Sequence, residues 1–254
     1  MRAASANVLG DADALAYIAA VEAADGQALE SGVKDAITAF VVGCKADNIW
    51  TAIKASCILA GARTLAGCLV PLAGVAPTNV GPFTSGDYNR KTGLVGNGTK
   101  YLDANRNNTV DPQNNRHLAV YATTKSSLVG RALAGYTGAG GRNRIFLNSV
   151  NDILTNCTDA GNVTTAGSYT AGTGLYAISR DNSNTYAFAY DNLVVTLTAA
   201  SSEPGSGTTT IYAMSASNPS SPRLAFYSIG ESLNLALLRA RVTTLINAYA
   251  AAIP

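Results

Sequence analysis

The sequence predicts an α+β protein: a helical N-terminal part, then an antiparallel β-sandwich, then a closing C-terminal helix. Apolar residues recur at helical spacing from Asp11 to about Cys68. After them, short apolar runs alternate with turns rich in Gly, Asn, Ser and Thr, which is typical of antiparallel strands. Residues 223–253 combine both patterns, because a strand leads there into an amphipathic helix. We therefore divide the chain into a helical part, residues 1–75, and a sandwich with its C-terminal helix, residues 76–254.

Three helices are expected in the N-terminal part, separated by short polar turns. Asp11 or Asp13 caps the first helix, which ends near Asp25–Gly26. The second helix begins near Gln27, and the third begins after its cap, Asp47. The apolar residues expected to face inward are Leu15, Ile18 and Val21 in the first helix, Leu29, Val33, Ile37, Phe40 and Cys44 in the second, and Trp50, Ile53, Cys57 and Ile58 in the third.

The sandwich follows a proline-rich extended connection, residues 70–82. No repeat of fixed period is present in the sequence, which disfavours a propeller or a β-helix. The expected strands include Gly93–Asp103, Leu118–Thr123, Arg144–Leu147, Gly174–Ser179, Thr185–Tyr190, Leu193–Thr198 and Thr209–Met214.

The C-terminal segment opens with a strand around Phe226 and continues into a helix predicted over residues 228–252. The Ser-x-x-Glu pattern from Ser228 to Glu231 predicts a capping box at the helix start. An apolar stripe then recurs at helical spacing, at Leu235, Leu238, Val242, Leu245, Ile246 and Tyr249. Such a helix must bury its stripe, and we expect it to pack on the N-terminal helices, so that the two ends of the chain meet.

The composition is weakly charged. Of 254 residues, 47% are hydrophobic and 13% charged, with a net charge of +2. A polar but nearly uncharged exterior resists association poorly, which predicts a self-associating chain within an assembly. An equally weighted alternative is an extracellular or virion β-protein in which neutrality is merely tolerated.

Several classes of partner are not expected. The basic residues are scattered, so we expect no nucleic acid partner. The longest apolar run, Ala36–Cys44, is too short to span a membrane. The first residues lack the apolar core of a signal peptide, so we expect a protein made and folded in the cytoplasm. Four cysteines without close pairing predict reduced core thiols rather than disulfides or a zinc site: Cys44, Cys57, Cys68 and Cys157.

Four stretches resemble one family. They are SGDYNRKTGLVGNGTKYLD (Ser85–Asp103), NRNNTVDPQNNRHLAVY (Asn105–Tyr121), FYSIGESLNLALLRARVTTLINA (Phe226–Ala248) and the leader-like ADNIWTAIKASCILAGARTL (Ala46–Leu65). Together they are similar to laminin-G-like, concanavalin A-like jelly-roll modules of tailed-phage virion proteins, including the helical leader that precedes such modules. The resemblance implies that the sandwich is a jelly roll.

No catalytic residue is predicted. His117 is the single histidine, and no Gly-x-Ser-x-Gly nucleophile elbow accompanies it. A polar turn histidine bonded to backbone is therefore the expected role. Concanavalin-like glucanases carry a Glu-x-Asp-x-Glu strand that this sequence lacks, which argues against a glycosidase.

One loop has the oxygen spacing of a calcium site. Asp103, Asn105, Asn107 and Asp111 occupy positions one, three, five and nine of such a loop. The sixth position is Asn rather than Gly, however, and the twelfth is Asn rather than the bidentate Glu. Asn and Asp also favour turns by bonding locally, so a turn-stabilising network is the preferred alternative to calcium.

Glycan contacts are predicted in the loops of the sandwich. A glycan site needs aromatic platforms and planar polar groups, which Tyr136, Arg142 and Tyr186 would supply, with Tyr169 and Arg180 nearby. The alternative is that these tyrosines are cross-strand packing residues. The Gly-rich stretch around Tyr136 lacks the Gly-Lys-Ser/Thr ending of a phosphate loop and predicts a hairpin tip.

Taken together, the resemblance implies a phage virion surface structural protein of the tail-fibre or receptor-binding type, adhesive and carbohydrate-binding. The alternative is a capsid decoration or cement protein of the head, with capsid contacts only. A polysaccharide-degrading enzyme is the least favoured class. The implied partners are other virion proteins and a host surface glycan, and the implied state is a homo-oligomer, with a trimer as the family-inspired expectation. No cofactor is expected apart from the calcium considered above.

Overall fold

The computed structural model describes residues 10–149, 152–159, 161, 163–164, 172–190 and 192–254. Within these ranges the chain is an α+β protein with two antiparallel sheets that pack as a sandwich, and with helices on one side. The helices are α1 (Ala12–Asp25), α2 (Ser31–Ala46), α3 (Leu65–Cys68) and α4 (Leu235–Ala252).

The strands are short and numerous. In chain order they are β1 (Ile53–Ile58), β2 (Pro71–Ala73), β3 (Thr78–Val80), β4 (Tyr88–Asn89), β5 (Gly93–Val95), β6 (Tyr101–Asn107), β7 (Arg116–Thr124), β8 (Arg131–Tyr136), β9 (Arg142–Ser149), β10 (Asp152–Asp159), β11 (Val163–Thr164), β12 (Gly174–Arg180), β13 (Thr185–Tyr190), β14 (Leu193–Thr198), β15 (Thr208–Ile211) and β16 (Arg223–Gly230).

Sheet A, the larger sheet, has the order β14-β13-β12-β7-β16-β1-β2, with β5 pairing with β16 and with β4. Sheet B has the order β11-β10-β9-β8-β15-β6-β3. The helices lie against sheet A, so the molecule has three layers with sheet A in the middle. These pairings establish the sandwich. They do not distinguish a jelly roll from other sandwiches, so the jelly roll stays a proposal.

The central strands of sheet A are buried on both faces. In β7, Leu118 and Val120 point into the core between the sheets, whereas Ala119 packs beneath the helices. In β16, Tyr227 joins the core between the sheets and Phe226 joins the helical side. Strands covered on both faces read as continuous apolar runs, and both strands do so. Sheet B carries partly exposed polar residues on its outer face, and this face holds the candidate site.

The two ends of the chain meet, as predicted. The stripe of α4 is buried, and α4 packs along α2. Arg241 of α4 donates to both carboxylate oxygens of Asp47, just after α2, at 2.7 and 2.9 Å. Phe40 of α2 meets Phe226 of sheet A edge to face, with ring centroids 5.8 Å apart. The C-terminal helix therefore joins the N-terminal helices to the sandwich.

The first two predicted helices are present. Asp11 caps α1 by accepting from the backbone of Asp13 and Ala14, and the left-handed Gly26 ends the helix. Leu15, however, is 51% exposed; the residues of α1 that face inward are Ala14, Tyr17, Ile18 and Val21. The second helix starts at Ser31 rather than near Gln27, and the Leu29 N–H just before it bonds to the Glu22 carboxylate.

The third predicted helix is wrong. A short 3₁₀ turn, Trp50–Ala52, leads instead into β1, which pairs with β16 and β2 inside sheet A. A short apolar run fits a buried helix or a buried strand equally well, and the pairing partners decided between them. Residues 53–58 and 71–73 of the part predicted as helical, 1–75, thus contribute strands. Whether residue 75 separates two folding units stays a prediction.

The capping box from Ser228 to Glu231 is also wrong. β16 continues to Gly230, and the helix begins at Leu235 with Asn234 as its cap. The Ser228 hydroxyl lies 2.7 Å from a ring nitrogen of His117, and the Glu231 N–H donates to the Ala52 carbonyl. The groups that would have closed the box are therefore committed to sheet A.

The strand predictions are confirmed with two changes. The strand predicted over Thr209–Met214 ends at Ile211. Gly93–Asp103 is not a single strand, because β5 pairs in sheet A and β6 in sheet B. Gly98, with φ +85°, lies in the turn between them, a backbone conformation that favours glycine. The four cysteines are buried and free of disulfides. Across the described ranges, every helix is too short or too polar to cross a membrane.

Candidate functional site

His117 lies in β7 rather than in a turn, and its side chain is fully buried. One ring nitrogen lies 2.6 Å from the Glu231 carbonyl oxygen, and the other lies 2.7 Å from the Ser228 hydroxyl. Burial lowers the pKa of His117 from 6.5 to about 4, so the ring is neutral near pH 7. The sequence predicted that His117 bonds to backbone, but it placed the residue in a turn instead of a strand. A serine beside a histidine is the start of a catalytic triad, but here neither group reaches solvent.

The four residues proposed for calcium lie on β6 and the turn after it. Asp103 accepts from the Asn105 N–H at 2.8 Å and from the Thr208 hydroxyl at 2.7 Å. Asn107 accepts from the backbone of Thr109 at 3.0 Å. The bonds from the Asn105 and Thr109 backbone are local turn bonds of the kind that Asn and Asp make, whereas the Thr208 bond ties Asp103 to the neighbouring strand β15.

Asp111 is engaged elsewhere. Arg106 donates to both of its carboxylate oxygens, at 2.9 and 2.5 Å, in a bidentate ion pair. Across the described residues, no group of three or more His, Cys, Asp or Glu side chains converges to hold a metal. Calcium at this loop stays a prediction, and Asp103 alone of the four residues lines the pocket described below.

Two arginines are buried, which was not predicted from the sequence. Arg116 and Arg180 lie opposite each other on β7 and β12, at one end of the sandwich. Burial lowers the pKa of Arg116. Their guanidinium groups donate to backbone carbonyl oxygens of loops and strands, those of Asn108, Asp111 and Pro112 for Arg116, and those of Cys157, Asn182, Thr185 and Ala199 for Arg180. The pair therefore holds these loops and strands together and is not open to a ligand.

The residues predicted to contact a glycan separate in the structure. Tyr186 is buried and shares a hydrogen bond with the Thr155 hydroxyl at 2.9 Å, so it packs between the sheets as the alternative proposed. Arg142 begins β9. Tyr169 lies outside the described residues. Tyr136, at the end of β8, is 5% exposed and lines an open pocket, for which it stays a candidate contact. Tyr186 also lines a separate open groove near the start of α4.

This pocket, which we call the sheet B pocket, lies over β6, β15 and the end of β8. Its volume is about 390 Å³, within the range of small-molecule sites. It brings together Asp103 and Tyr136, which the sequence analysis had assigned to different sites. Its lining is Tyr101, Asp103, Tyr136, Thr137, Ser206, Gly207, Thr208, Thr210, Ser215 and Ala216.

Tyr136 forms a fixed wall of the pocket. Its hydroxyl donates to the Ser206 carbonyl at 2.8 Å. Gly138, Gly205 and Gly207 approach the Tyr136 side chain so closely that a Cβ on any of them would collide with it. The Gly-rich hairpin and the loop before β15 therefore hold the ring in place because they lack side chains at these positions.

The remaining walls combine an aromatic ring with hydroxyl groups and one carboxylate. Tyr101 and Asp103 are two apart on β6 and project to the same outer face, because side chains alternate along a strand. Both are partly exposed, whereas Leu102 between them is buried. Thr208 and Thr210 lie on the neighbouring strand β15, with Thr210 paired to Asp103 in register. Such an arrangement suits a ligand with several hydroxyl groups and one apolar face.

The floor beside β15 includes backbone in an unusual conformation. Ser215 and Ala216, which both line the pocket, have φ values of 48° and 64°. Left-handed backbone is costly for residues other than glycine and persists where surrounding structure enforces it, often at binding sites. The Ser215 hydroxyl accepts from the Thr137 N–H at 3.0 Å, which ties this segment to the Gly-rich hairpin.

Comparisons with known proteins identify no family. No family model matches the sequence, and no curated protein matches it. Among solved structures, the Trypanosoma rangeli sialidase in complex with sialic acid aligns at 10% identity with a TM-score of 0.46, over 77% of this chain and 33% of the sialidase. The chain thus spans about a third of the length of that sialidase.

Two further structures are similar at the same level. The same sialidase bound to a difluoro sugar acid aligns at 10% identity and a TM-score of 0.47, over 78% of this chain and 33% of that one. A protein of unknown function from Shewanella oneidensis MR-1 aligns at 12% identity and a TM-score of 0.36, over 62% and 78%. Likenesses this distant carry no argument about what the chain binds or catalyses.

Proposed function

We propose that this chain is a phage virion surface structural protein of the adhesive, receptor-binding type, whose sandwich is a jelly roll of the laminin-G-like class. The proposal rests on the resemblance of four sequence stretches and on one structural observation. That observation is an open pocket with an aromatic ring, hydroxyl groups and one carboxylate on the outer face of a rigid sheet. Shallow sites of this composition suit a surface glycan.

The alternative of an enzyme is less well supported by the site. Most glycosidases need two carboxylates on either side of the scissile bond, and Asp103 is the one carboxylate that lines the sheet B pocket. The single histidine is buried and bonded on both ring nitrogens. Purified protein is therefore expected to leave polysaccharide substrates intact; cleavage that Asp103→Asn abolishes would contradict this.

Self-association is part of the proposal, and the edge of sheet A is the surface that supports it. β14 is the last strand of the sheet, and in the described ranges no further strand pairs with its outer edge. Leu193 and Val194 are 53% and 42% exposed there, and the strand carries neither charge nor proline. Edge strands without such protection pair with other strands, and a second copy offers the same uncharged edge. The trimer implied by the resemblance stays a separate prediction.

A head decoration protein is the competing structural function. Both functions place the chain on the virion, but only the adhesive one needs a ligand for the sheet B pocket. Micrographs of virions labelled with an antibody to this chain distinguish them. Label at the tail tip is expected, label spread over the head would favour decoration, and unlabelled virions would contradict both.

A further inference from the structure

We propose that the sheet B pocket binds a neutral hexose unit and rejects acidic sugars. This inference rests on the adhesive function proposed above and names the class of glycan that the same site takes. It follows from the charge, the hydrogen-bonding capacity and the size of the pocket.

The charge of the lining is negative. Asp103 is the one ionisable group of the lining other than the phenols of Tyr101 and Tyr136, and the rest are hydroxyl-bearing or small residues. The basic residues closest to it in sequence are already paired. Lys100 bonds to Asp87 at 2.6 Å, and Arg106 bonds to Asp111. A sugar carboxylate would therefore lie near a like charge without a cation from the lining to offset it.

The hydrogen-bonding groups favour a ligand that donates. The two oxygens of Asp103 accept one bond each from the protein, from the Asn105 N–H and the Thr208 hydroxyl. A carboxylate has about four lone-pair directions, so each oxygen has capacity for another donor. Two neighbouring hydroxyl groups of a hexose present donors at a spacing that one carboxylate can accept.

The exposed aromatic ring of the pocket suits the apolar face of a sugar ring. Tyr101 is partly exposed and supplies that ring, whereas Tyr136 is 5% exposed and is held in the wall by its bond to Ser206 and by the glycines around it. A tyrosine offers an apolar ring and a polar tip, which matches the amphipathic surface of a hexose. A pocket of about 390 Å³ fits one or two sugar rings, close to the lower end of ligand-site volumes.

The test is binding of the full chain to an array of immobilised glycans that end in neutral hexoses or in sialic or uronic acids. Tyr101→Ala and Asp103→Asn are compared with Asp181→Asn, a matched control in the separate open groove near the start of α4. Binding to neutral glycans, weakened at least about tenfold by Tyr101→Ala and by Asp103→Asn but unchanged by Asp181→Asn, is expected. Thermal melting of each variant establishes that it is folded.

Asp103→Asn has a second expected effect that a merely structural role would not produce. Because the like charge is removed, the ratio of neutral to acidic glycan binding falls relative to the natural chain. Equal or preferred binding of acidic glycans by the natural chain overturns the inference but leaves the adhesive function standing. Binding of neutral glycans that is unchanged in both Tyr101→Ala and Asp103→Asn also overturns the inference and leaves the adhesive function standing. The absence of binding to any glycan overturns the adhesive function as well.

Discussion

At the scale of single residues, His117 has the environment that sequence reasoning described least well. Its neighbours in the sequence, Arg116 and Leu118, gave no sign that β7 would be buried on both faces. The lowered pKa has a consequence for stability. The unfolded state, with an ordinary value near 6.5, binds a proton between pH 6.5 and pH 4 that the folded state does not bind.

We therefore expect the free energy of unfolding to fall as the pH is lowered from 6.5 towards 4, by on the order of 3 kcal/mol from this group. The measurement is chemical denaturation at a series of pH values for the natural chain and for His117→Gln. Carboxylates titrate in both proteins, so the difference between the two curves isolates the histidine. Parallel curves would show that His117 is not buried as a neutral ring.

The cysteine thiols give a second prediction at this scale. Burial raises the pKa of Cys44, Cys57 and Cys157 to about 12, and that of Cys68 well above its ordinary value. Thiolates are the reactive species, so the native protein should react very slowly with a disulfide reagent such as Ellman's at pH 8, and fully once unfolded. Rapid labelling of any one of them in the folded chain would place it at the surface.

At the scale of elements, helical patterns were more informative than short apolar runs. The cap of α1 and the stripe of α4 were foreseen because a long helix repeats its signal over several turns. β1 was mistaken for a helix because a six-residue run of five apolar or small residues and Lys54 fits both structures. Only its partners, β16 and β2, decide which one forms, and β16 lies far away in the sequence.

The C-terminal helix offers a prediction with a matched control. Leu238 is fully buried and its neighbour Leu237 is 36% exposed. Leu238→Asp buries an unpaired charge at the interface between α4 and the rest of the molecule, and should cost several kcal/mol, enough to leave the protein insoluble or unfolded. Leu237→Asp should remain soluble with a nearly unchanged melting temperature. Two equally stable variants would show that α4 is not part of the core.

The turn after β6 offers a prediction about calcium. Because Asp103, Asn107 and Asp111 bond to protein groups, removal of calcium with a chelator should leave the melting temperature unchanged. A clear fall that Asp103→Ala abolishes would instead establish a calcium site. The spacing of the oxygen-bearing residues predicted the turn. It could not predict the ion pair between Asp111 and Arg106, because that pair depends on side-chain positions.

At the scale of the whole molecule, the sequence predicted the layered architecture better than it predicted the candidate binding site. Alternating patterns predicted a sandwich, and the stripe of α4 predicted that the chain ends meet. The sheet B pocket joins residues from β6, β8 and β15, so no local motif could reveal it. Tyr136 and Asp103 were both singled out, but their proximity depends on strand order, and the strand order depends on long-range pairing.

Self-association is tested at the same scale. Val194→Lys places a charge on the edge of sheet A, and charged edge residues are a common protection against strand pairing. Light scattering of the natural chain should give the mass of an oligomer, and the variant should shift towards the monomer. A monomeric natural chain at high concentration would contradict the homo-oligomer, and an unchanged oligomer in the variant would place the contact elsewhere.

Adhesion through the sheet B pocket is tested most directly by binding of the labelled full-length chain to intact bacterial cells. The natural chain is expected to coat susceptible cells, to be displaced by excess free neutral hexose, and to lose binding in Tyr101→Ala. Thr196→Ala, a change at an exposed residue of β14 in sheet A, should bind as the natural chain does. Equal binding by the natural chain and Tyr101→Ala, or no binding by either, would contradict an adhesive role for this pocket.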